Sequence, residues 1–145
     1  MSNIEFFFED IEPISIYQDF LVTQINGLIS NEKFETGEIN VIFCSDDYLL
    51  EMNKQYLDHD YYTDIITFDY VDNDVISGDL FISVDRINEN ADSFKTLQIK
   101  ELYRVVLHGV LHLVGYKDKT DEDQEEMTKM EEFYLAKIDF KELKV

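Results

Sequence analysis

The amino-acid sequence predicts an α+β fold in which a small, mixed, four-stranded sheet packs with about five helices. Three observations support this class. The hydrophobic periodicities along the chain follow the order β-α-β-α-β-β-α-α-α. The 145 residues are 45% hydrophobic and show no linker, repeat or change of composition, so we expect one domain over residues 1–145. One helical segment is apolar on every side, which is typical of a central, buried helix.

The first half of the chain is expected to hold two strands and two helices. Strands are indicated by apolar residues at every second position, and helices by apolar residues at steps of three and four. Pro13 suits the first turn of the first helix, and Ser45 offers a side-chain oxygen that can cap the second. The predicted elements are a strand over 4–8, a helix over 13–31, a strand over 38–45 after Gly37, and a helix over 45–57.

The second half is expected to hold a β-hairpin and three helices. Strands over 64–71 and 78–84 flank the turn sequence 72–74, so we expect them to pair antiparallel. A short polar helix over 87–94 precedes the apolar helix over 97–114, which Gly115 can end. The last helix starts near Thr120 with a capping-box pattern. Its predicted inner face consists of Met127, Met130, Phe133, Tyr134 and Ile138.

Acidic residues dominate the charge. There are 32 Asp and Glu against 12 Lys and Arg, a formal charge of −20, which disfavours general nucleic-acid binding through a basic surface. Binding to a polyanion would need a metal ion or a local patch. The mildly basic stretch is formed by Arg86, Lys95, Lys100 and Arg104, and we expect any RNA to dock beside it. The acids of segment 118–132 are expected to form a solvated helix face that points away from RNA.

Two further features bear on the compartment. Cys44, the single cysteine, cannot form an internal disulfide, which fits a reducing environment. The first ten residues lack the pattern of a signal peptide, and the longest charge-free stretches have 12 residues, against roughly 18 for a membrane span. We therefore expect a cytoplasmic protein that does not enter a membrane.

A metal-ligand pattern lies at the end of the apolar helix, where the chain reads H-x-x-x-H-x-x-G-x-x-D. His108 and His112 are four residues apart and therefore project from one face of the helix, so both imidazoles can bind one cation. Gly115 lets the backbone turn back, which can bring Asp118 to the same point. Two nitrogens and one oxygen leave a coordination position open, as in catalytic zinc sites.

The alternative to a metal site is that the two histidines are ordinary core residues. It is disfavoured because burying two imidazoles without partners costs about 1–3 kcal/mol each. Peptidases of the H-E-x-x-H type carry a glutamate next to the first histidine as general base, whereas this chain has Gly109 there. A metal in this site must therefore activate water and polarise the bond without that base, which suits phosphodiester cleavage. The residues assign no catalytic group beyond the metal ligands His108, His112 and Asp118.

The segment H-G-V-L-H-L-V-G-Y, starting at His108, resembles the signature of the YbeY endoribonuclease family of rRNA maturation factors. Earlier blocks follow the same order as in that family, and the likeness extends over roughly residues 40–135. These blocks are Met52-Asn53-Lys-Gln-Tyr56, Thr63-Asp64-Ile-Ile-Thr-Phe68, Gly78-Asp79-Leu-Phe-Ile82, and the acidic helix with Met127 and Glu131.

The resemblance implies a bacterial, cytoplasmic, single-strand-specific endoribonuclease that depends on one Zn²⁺ ion. It implies a role in 16S rRNA 3′-end maturation and in ribosome quality control. The implied partners are single-stranded rRNA and the small ribosomal subunit, with neither DNA nor a membrane.

Two positions depart from the family pattern. The family string usually ends in Gly-Tyr-Asp-His, so Asp118 occupies the position of a third histidine ligand. A carboxylate there is expected to leave the zinc a weaker Lewis acid than three histidines would. The family commonly has an arginine where this chain has Leu57. His59 or Arg104 could replace it, although an exposed loop residue and a surface ion pair, respectively, are the favoured interpretations.

Three alternative functions remain open from the sequence. A metallopeptidase shares the ligand layout, although Gly109 argues against it. A non-catalytic ribosome-assembly factor that keeps zinc for stability would fit the acidic charge and Leu57. Two histidines and one carboxylate also match an iron site.

Overall fold

The computed structural model describes residues 3–57 and 63–143. The order of elements agrees with the prediction, and the described part of the chain forms the α+β fold that the sequence predicted. The elements are β1 (Asn3–Phe8), α1 (Gln18–Asn31), β2 (Glu35–Cys44), α2 (Asp46–Leu57), β3 (Ile65–Asp69), β4 (Val75–Ser83), α3 (Val84–Phe94), α4 (Gln98–Leu113) and α5 (Asp121–Leu135).

The four strands form one mixed sheet in the order β1-β2-β4-β3. The pairs β1–β2 and β2–β4 are parallel, and β3–β4 is the predicted antiparallel hairpin. In the turn between β3 and β4, Asn73 takes a φ of 55°, a conformation that asparagine tolerates better than most residues. Parallel neighbouring strands need a crossover connection, and α1 forms this connection between β1 and β2.

Helix α4 lies at the centre of the core, as its all-round hydrophobicity predicted. It contacts α1, α3, α5, β3 and β4, and ten of its sixteen residues are buried. Gly109 allows this close packing, because a Cβ atom there would lie 2.7 Å from the Ile65 side chain and 3.0 Å from that of Leu80. The sheet therefore supports the segment that carries both histidines of the predicted metal motif.

The start of α1 was predicted wrongly. The helix begins at Gln18 rather than at Pro13, and Tyr17 takes a left-handed φ of 55° just before it. Ile16 is buried in the core, and its carbonyl accepts a hydrogen bond from the hydroxyl of Tyr103 at 2.9 Å. This tertiary contact fixes the lead-in segment in a non-helical conformation, which local periodicity cannot reveal.

Other boundaries shift by a few residues. Strand β2 starts at Glu35 and contains Gly37, which was expected to precede it, and its register with β4 shifts between Thr36 and Ile39. A Cβ atom on Gly37 would lie 2.3 Å from the hydroxyl oxygen of Ser77, so the irregular pairing depends on a glycine. Strand β4 starts at Val75, three residues earlier than expected.

Helix α5 starts with the predicted capping box, in which Thr120 and Asp123 exchange hydrogen bonds. The predicted inner face of this helix is wrong at Phe133, which is 47% exposed and lies under the ammonium group of Lys137. The buried face of α5 therefore includes fewer residues than the spacing of its apolar side chains predicted. None of the helices that the structure describes is both long and apolar enough to cross a membrane.

Candidate metal centre

The two histidines of α4 project from the same face of the helix, one turn apart, as their spacing predicts. Their Nε2 atoms lie 3.1 Å apart, and the two rings meet edge to face. Both side chains are partly buried, with 18% exposure for His108 and 26% for His112. The two nitrogens are therefore close enough to bind a single ion.

The turn after α4 brings a carboxylate to these nitrogens. Gly115 takes a φ of 114°, a conformation that residues with a side chain rarely adopt, and the helix ends there as predicted. The Oδ2 atom of Asp118 then lies 3.2 Å from Nε2 of His112 and 3.5 Å from Nε2 of His108. The structure thus brings together all three residues that the sequence singled out, in a cluster that could hold a metal ion.

The dimensions of this cluster fit a tetrahedral zinc ion. Ligand atoms that bind zinc at 2.0–2.1 Å in a tetrahedron are about 3.3–3.4 Å from one another. The three distances between the Nε2, Nε2 and Oδ2 atoms are 3.1, 3.5 and 3.2 Å. Three protein ligands of this kind would leave one position of a bound zinc ion for water or substrate.

Both imidazoles are oriented through their other nitrogen. Nδ1 of His108 lies 2.6 Å from Oε2 of Glu131 on α5, and Nδ1 of His112 lies 3.0 Å from the carbonyl oxygen of Tyr116. A proton on each Nδ1 satisfies these acceptors and leaves each Nε2 lone pair directed at the centre of the cluster. Partners of this kind are typical of metal-binding histidines.

A buried ion-pair network extends from His108. Nη1 of Arg104 lies 3.0 Å from Oε1 of Glu131, and its Nε donates to Glu101 at 2.8 Å. Glu101 and Glu131 are 2% and 4% exposed, so these charges need their partners. Two carboxylates therefore already pair with the guanidinium of Arg104, which disfavours the idea that Arg104 replaces the expected phosphate-binding arginine.

The charges of this network shift several pKa values. Burial lowers the pKa of His108, but the hydrogen bond and the charge of Glu131 outweigh burial and raise it overall. Burial raises the pKa of Glu131, and the contact with His108 outweighs burial and lowers it overall. The hydrogen bond to Glu101 raises the pKa of Arg104. Both shifts follow from the close contact between His108 and Glu131.

The turn itself is fastened to two helices. The hydroxyl of Tyr116 donates to Glu32 at the end of α1 at 2.8 Å, and burial together with this contact raises the pKa of Tyr116 to about 12. The side chain of Gln124 in α5 donates to the backbone carbonyl of Asp118 at 3.1 Å. These two hydrogen bonds hold the backbone of the turn that carries the Asp118 carboxylate.

The three residues of the cluster open onto a cavity of about 850 Å³. Strand β3 and the residues before it form one wall, which includes Asp64, and the turn after α4 forms the other. Burial raises the pKa of Asp64, so its carboxyl group holds a proton to a higher pH than an exposed aspartate does. Asp64 belongs to the block Thr63-Asp64-Ile-Ile-Thr-Phe68 of the family resemblance, but it was not predicted to belong to the site.

Leu57 stands where the resemblance predicts an arginine, and His59 is one candidate to replace that arginine. Leu57 is exposed and lies on the rim of this cavity, so the position faces the site although its side chain carries no charge. His59 lies outside the described residues, and its expected role stays a prediction.

The basic stretch is partly neutralised. Arg86 pairs with Asp46 at 3.0 Å and with Glu89 at 2.6 Å, and Arg104 is engaged as described above. Lys95 and Lys100 line a separate cavity beside the N-terminal half of α4. The expected RNA docking beside this stretch stays a prediction, and two of its four cations are committed to carboxylates.

Glu131 is a second residue of the candidate site that sequence reasoning did not predict. It was included in the acid run that was expected to be solvated, yet it is buried and contacts His108. A signal was present, because Met127 lies four residues before Glu131 and both project from the buried face of α5. A glutamate on the same helix face as buried apolar residues indicates a charged or hydrogen-bonding partner in the interior.

Comparison with known proteins agrees with the resemblance noted in the sequence. The family model described as "Endoribonuclease YbeY" matches residues 9–139. The chain belongs to the YbeY family. Among its relatives, "Endoribonuclease YbeY" of Flavobacterium psychrophilum is 50% identical over 122 residues, which cover 84% of each chain. The protein of the same name from Parabacteroides distasonis is 46% identical over 133 residues, covering 92% of this chain and 94% of the relative.

A solved structure shares the fold. The solution structure of TM1509 from Thermotoga maritima superimposes with a TM-score of 0.67 at 30% identity, covering 92% of this chain and 87% of the other. This likeness supports the α+β architecture.

Proposed function

We propose that this chain is a zinc-dependent, single-strand-specific endoribonuclease that acts in the bacterial cytoplasm. Its proposed substrates are the 3′ end of 16S rRNA during maturation and rRNA of the small subunit during ribosome quality control. The names of the YbeY relatives support the reaction class. The observation that carries the proposal is the triangle formed by Nε2 of His108, Nε2 of His112 and Oδ2 of Asp118.

The residues around this triangle have separate roles. His108, His112 and Asp118 would hold the zinc ion, and Glu131 and the Tyr116 carbonyl keep the imidazole rings in place. When bound, zinc would supply a Lewis acid that lowers the pKa of a coordinated water and offsets the charge of the phosphodiester. Asp64 lies on the wall of the same cavity and can hold a proton on its carboxylate.

A peptidase mechanism is less well supported. The residue after His108 is Gly109, and the close approach of Ile65 and Leu80 leaves no room for a glutamate side chain at this position. Glu131 cannot replace such a base, because its two oxygens already contact His108 and Arg104. The bond to be cleaved is therefore proposed to be a phosphodiester and not an amide.

The test uses purified, zinc-loaded protein with single-stranded RNA, duplex RNA and a peptide substrate. We expect cleavage of the single strand only, loss of cleavage with a chelator, and recovery when zinc but not iron is added back. His108→Ala with an intact circular dichroism spectrum should be inactive. Turnover that is insensitive to both changes would refute the proposal. Zinc-dependent stability without any turnover would favour the non-catalytic assembly factor.

A further inference from the structure

Two lysines that flank Asp118 line the cavity of the metal centre. Lys117 and Lys119 are both exposed, and both belong to the cavity lining together with His108, His112 and Asp118. Among the described residues that line this cavity, they are the ones with a permanent positive charge. Neither forms an ion pair within the described part of the chain. Their ammonium groups are therefore available to an anion that enters the cavity.

The charge of the cavity depends on the metal. Among the residues that the structure describes, its lining contains three carboxylates, on Asp64, Asp69 and Asp118, and the two lysines. With these groups ionised the lining is negative by one charge, and a divalent cation makes it positive by one charge. In a chain with a formal charge of −20, this makes the loaded cavity a local site that attracts phosphate. Without the two lysines, the same divalent cation would leave the lining with a net negative charge.

The other cations near α4 are less suited to this role. Arg104 and Arg86 are bound by carboxylates. Lys95 and Lys100 line the separate cavity of about 540 Å³, which also contains Glu101, Glu131 and Glu132 and does not include the histidines. A phosphate next to the bond being cleaved must lie close to the metal ligands, and that is where Lys117 and Lys119 are.

We propose that Lys117 and Lys119 bind backbone phosphates of single-stranded RNA beside the scissile bond. This inference rests on the proposed function and names the residues that hold its substrate. Lysine is a flexible, fully charged donor that neutralises phosphate without reading the base, so the contacts would be independent of sequence. The turn after α4 thus supplies both a metal ligand and the cations that position the substrate.

The experiment compares two double variants with the same change in charge. Lys117→Gln/Lys119→Gln removes the proposed contacts, and Lys95→Gln/Lys100→Gln removes two lysines from the other cavity. Each zinc-loaded protein is titrated with a labelled 2′-O-methyl single-stranded RNA at several salt concentrations. The kcat and KM for the matching unmodified RNA are measured in parallel, together with zinc content and Tm.

For Lys117→Gln/Lys119→Gln we expect binding to weaken about twentyfold at low salt, with a similar rise in KM and little change in kcat. The slope of log Kd against log salt should fall by about 1.4, since each lost contact to a single strand contributes about 0.7. Lys95→Gln/Lys100→Gln lies in the basic stretch where the sequence predicted RNA docking, and on the present proposal it should change Kd less than twofold. Lys117→Arg/Lys119→Arg should bind as the unchanged protein does, because the charge is retained.

Three results would overturn the inference: an unchanged Kd and salt slope in Lys117→Gln/Lys119→Gln, an equal loss in Lys95→Gln/Lys100→Gln, or an arginine variant as weak as the glutamine variant. Failure of the proposed function is distinguishable, because the unchanged zinc-loaded protein would then neither bind nor cleave the RNA. Equal zinc content and Tm in all variants exclude an indirect effect through Asp118.

Discussion

The two histidines of the candidate metal centre are held by two regions that are built differently. His112 depends on the turn directly after α4, where the carbonyl of Tyr116 orients its ring and Asp118 lies within 3.2 Å of it. His108 depends on α5, where Glu131, 23 residues further along the chain, contacts its ring and is itself paired with Arg104. One region is made of local backbone geometry, and the other of buried charges brought together by helix packing.

The difference shows how one site combines two kinds of constraint. The turn determines how far Asp118 lies from the two histidines. Its geometry requires only a glycine and a short chain segment. The contact between α4 and α5 sets the direction of the His108 lone pair, and it is maintained only while both helices are packed. We therefore expect changes in the turn to act on ligand spacing, and changes in α5 to act on metal affinity with the spacing preserved.

The largest effect is expected from removing either imidazole. His108→Ala and His112→Ala should each lose stoichiometric zinc and cleavage, because two remaining ligands do not make a stable site. Zinc at 100 times its Kd stabilises a folded protein by about 2.7 kcal/mol, and neither variant should show this gain in a thermal melt. His59→Ala is the matched control for zinc binding and should keep its zinc. Retained stoichiometric zinc in either variant would show that the imidazole removed is not a required ligand.

Glu131→Gln tests the α5 region alone. The amide removes the negative charge that orients His108, so zinc affinity should fall about 10–100-fold, measured by competition with a chelating dye. The adjacent Glu132 is exposed, and Glu132→Gln makes the same chemical change as a control. Equal zinc affinity in the two variants would contradict the role given to the contact between α4 and α5.

Gly115→Ala tests the turn alone. At a φ of 114° an added Cβ atom is strained, which we expect to cost about 1–3 kcal/mol in the free energy of unfolding and to weaken zinc binding as Asp118 moves. Gly27→Ala, inside α1 with no atom within 4 Å of the new Cβ, should instead stabilise by about 0.5–1 kcal/mol. Urea denaturation of both variants gives the comparison. A Gly115→Ala variant as stable and as tight for zinc as Gly27→Ala would refute the account of the turn.

Asp118→His should have the smallest effect and sharpens the role of the carboxylate. A neutral third ligand donates less charge to zinc than a carboxylate does, so the midpoint of the pH–rate profile should move to lower pH while zinc remains bound. The measurement is kcat/KM against pH for a single-stranded RNA. An unchanged midpoint would mean that the third ligand does not control the acidity of the site.

The same division between local and long-range contacts determines what the sequence could predict. The spacing of His108, His112, Gly115 and Asp118 was sufficient because one helix and one turn determine their geometry. The order of the elements followed from periodicity for the same reason. Glu131 was assigned to a solvated face, the start of α1 was placed too early, and Phe133 was placed inside. Each of these depends on which neighbours pack against the segment, and periodicity does not contain that information.

The central claim is that one zinc ion is shared by Nε2 of His108, Nε2 of His112 and a carboxylate oxygen of Asp118. The most direct measurement is an anomalous-scattering map of zinc-loaded crystals at the zinc edge, combined with the metal content of the same sample. The account predicts one peak per chain, about 2.0–2.2 Å from all three atoms. A peak at another site, or a peak at the two histidines with the Asp118 side chain turned away, would contradict it.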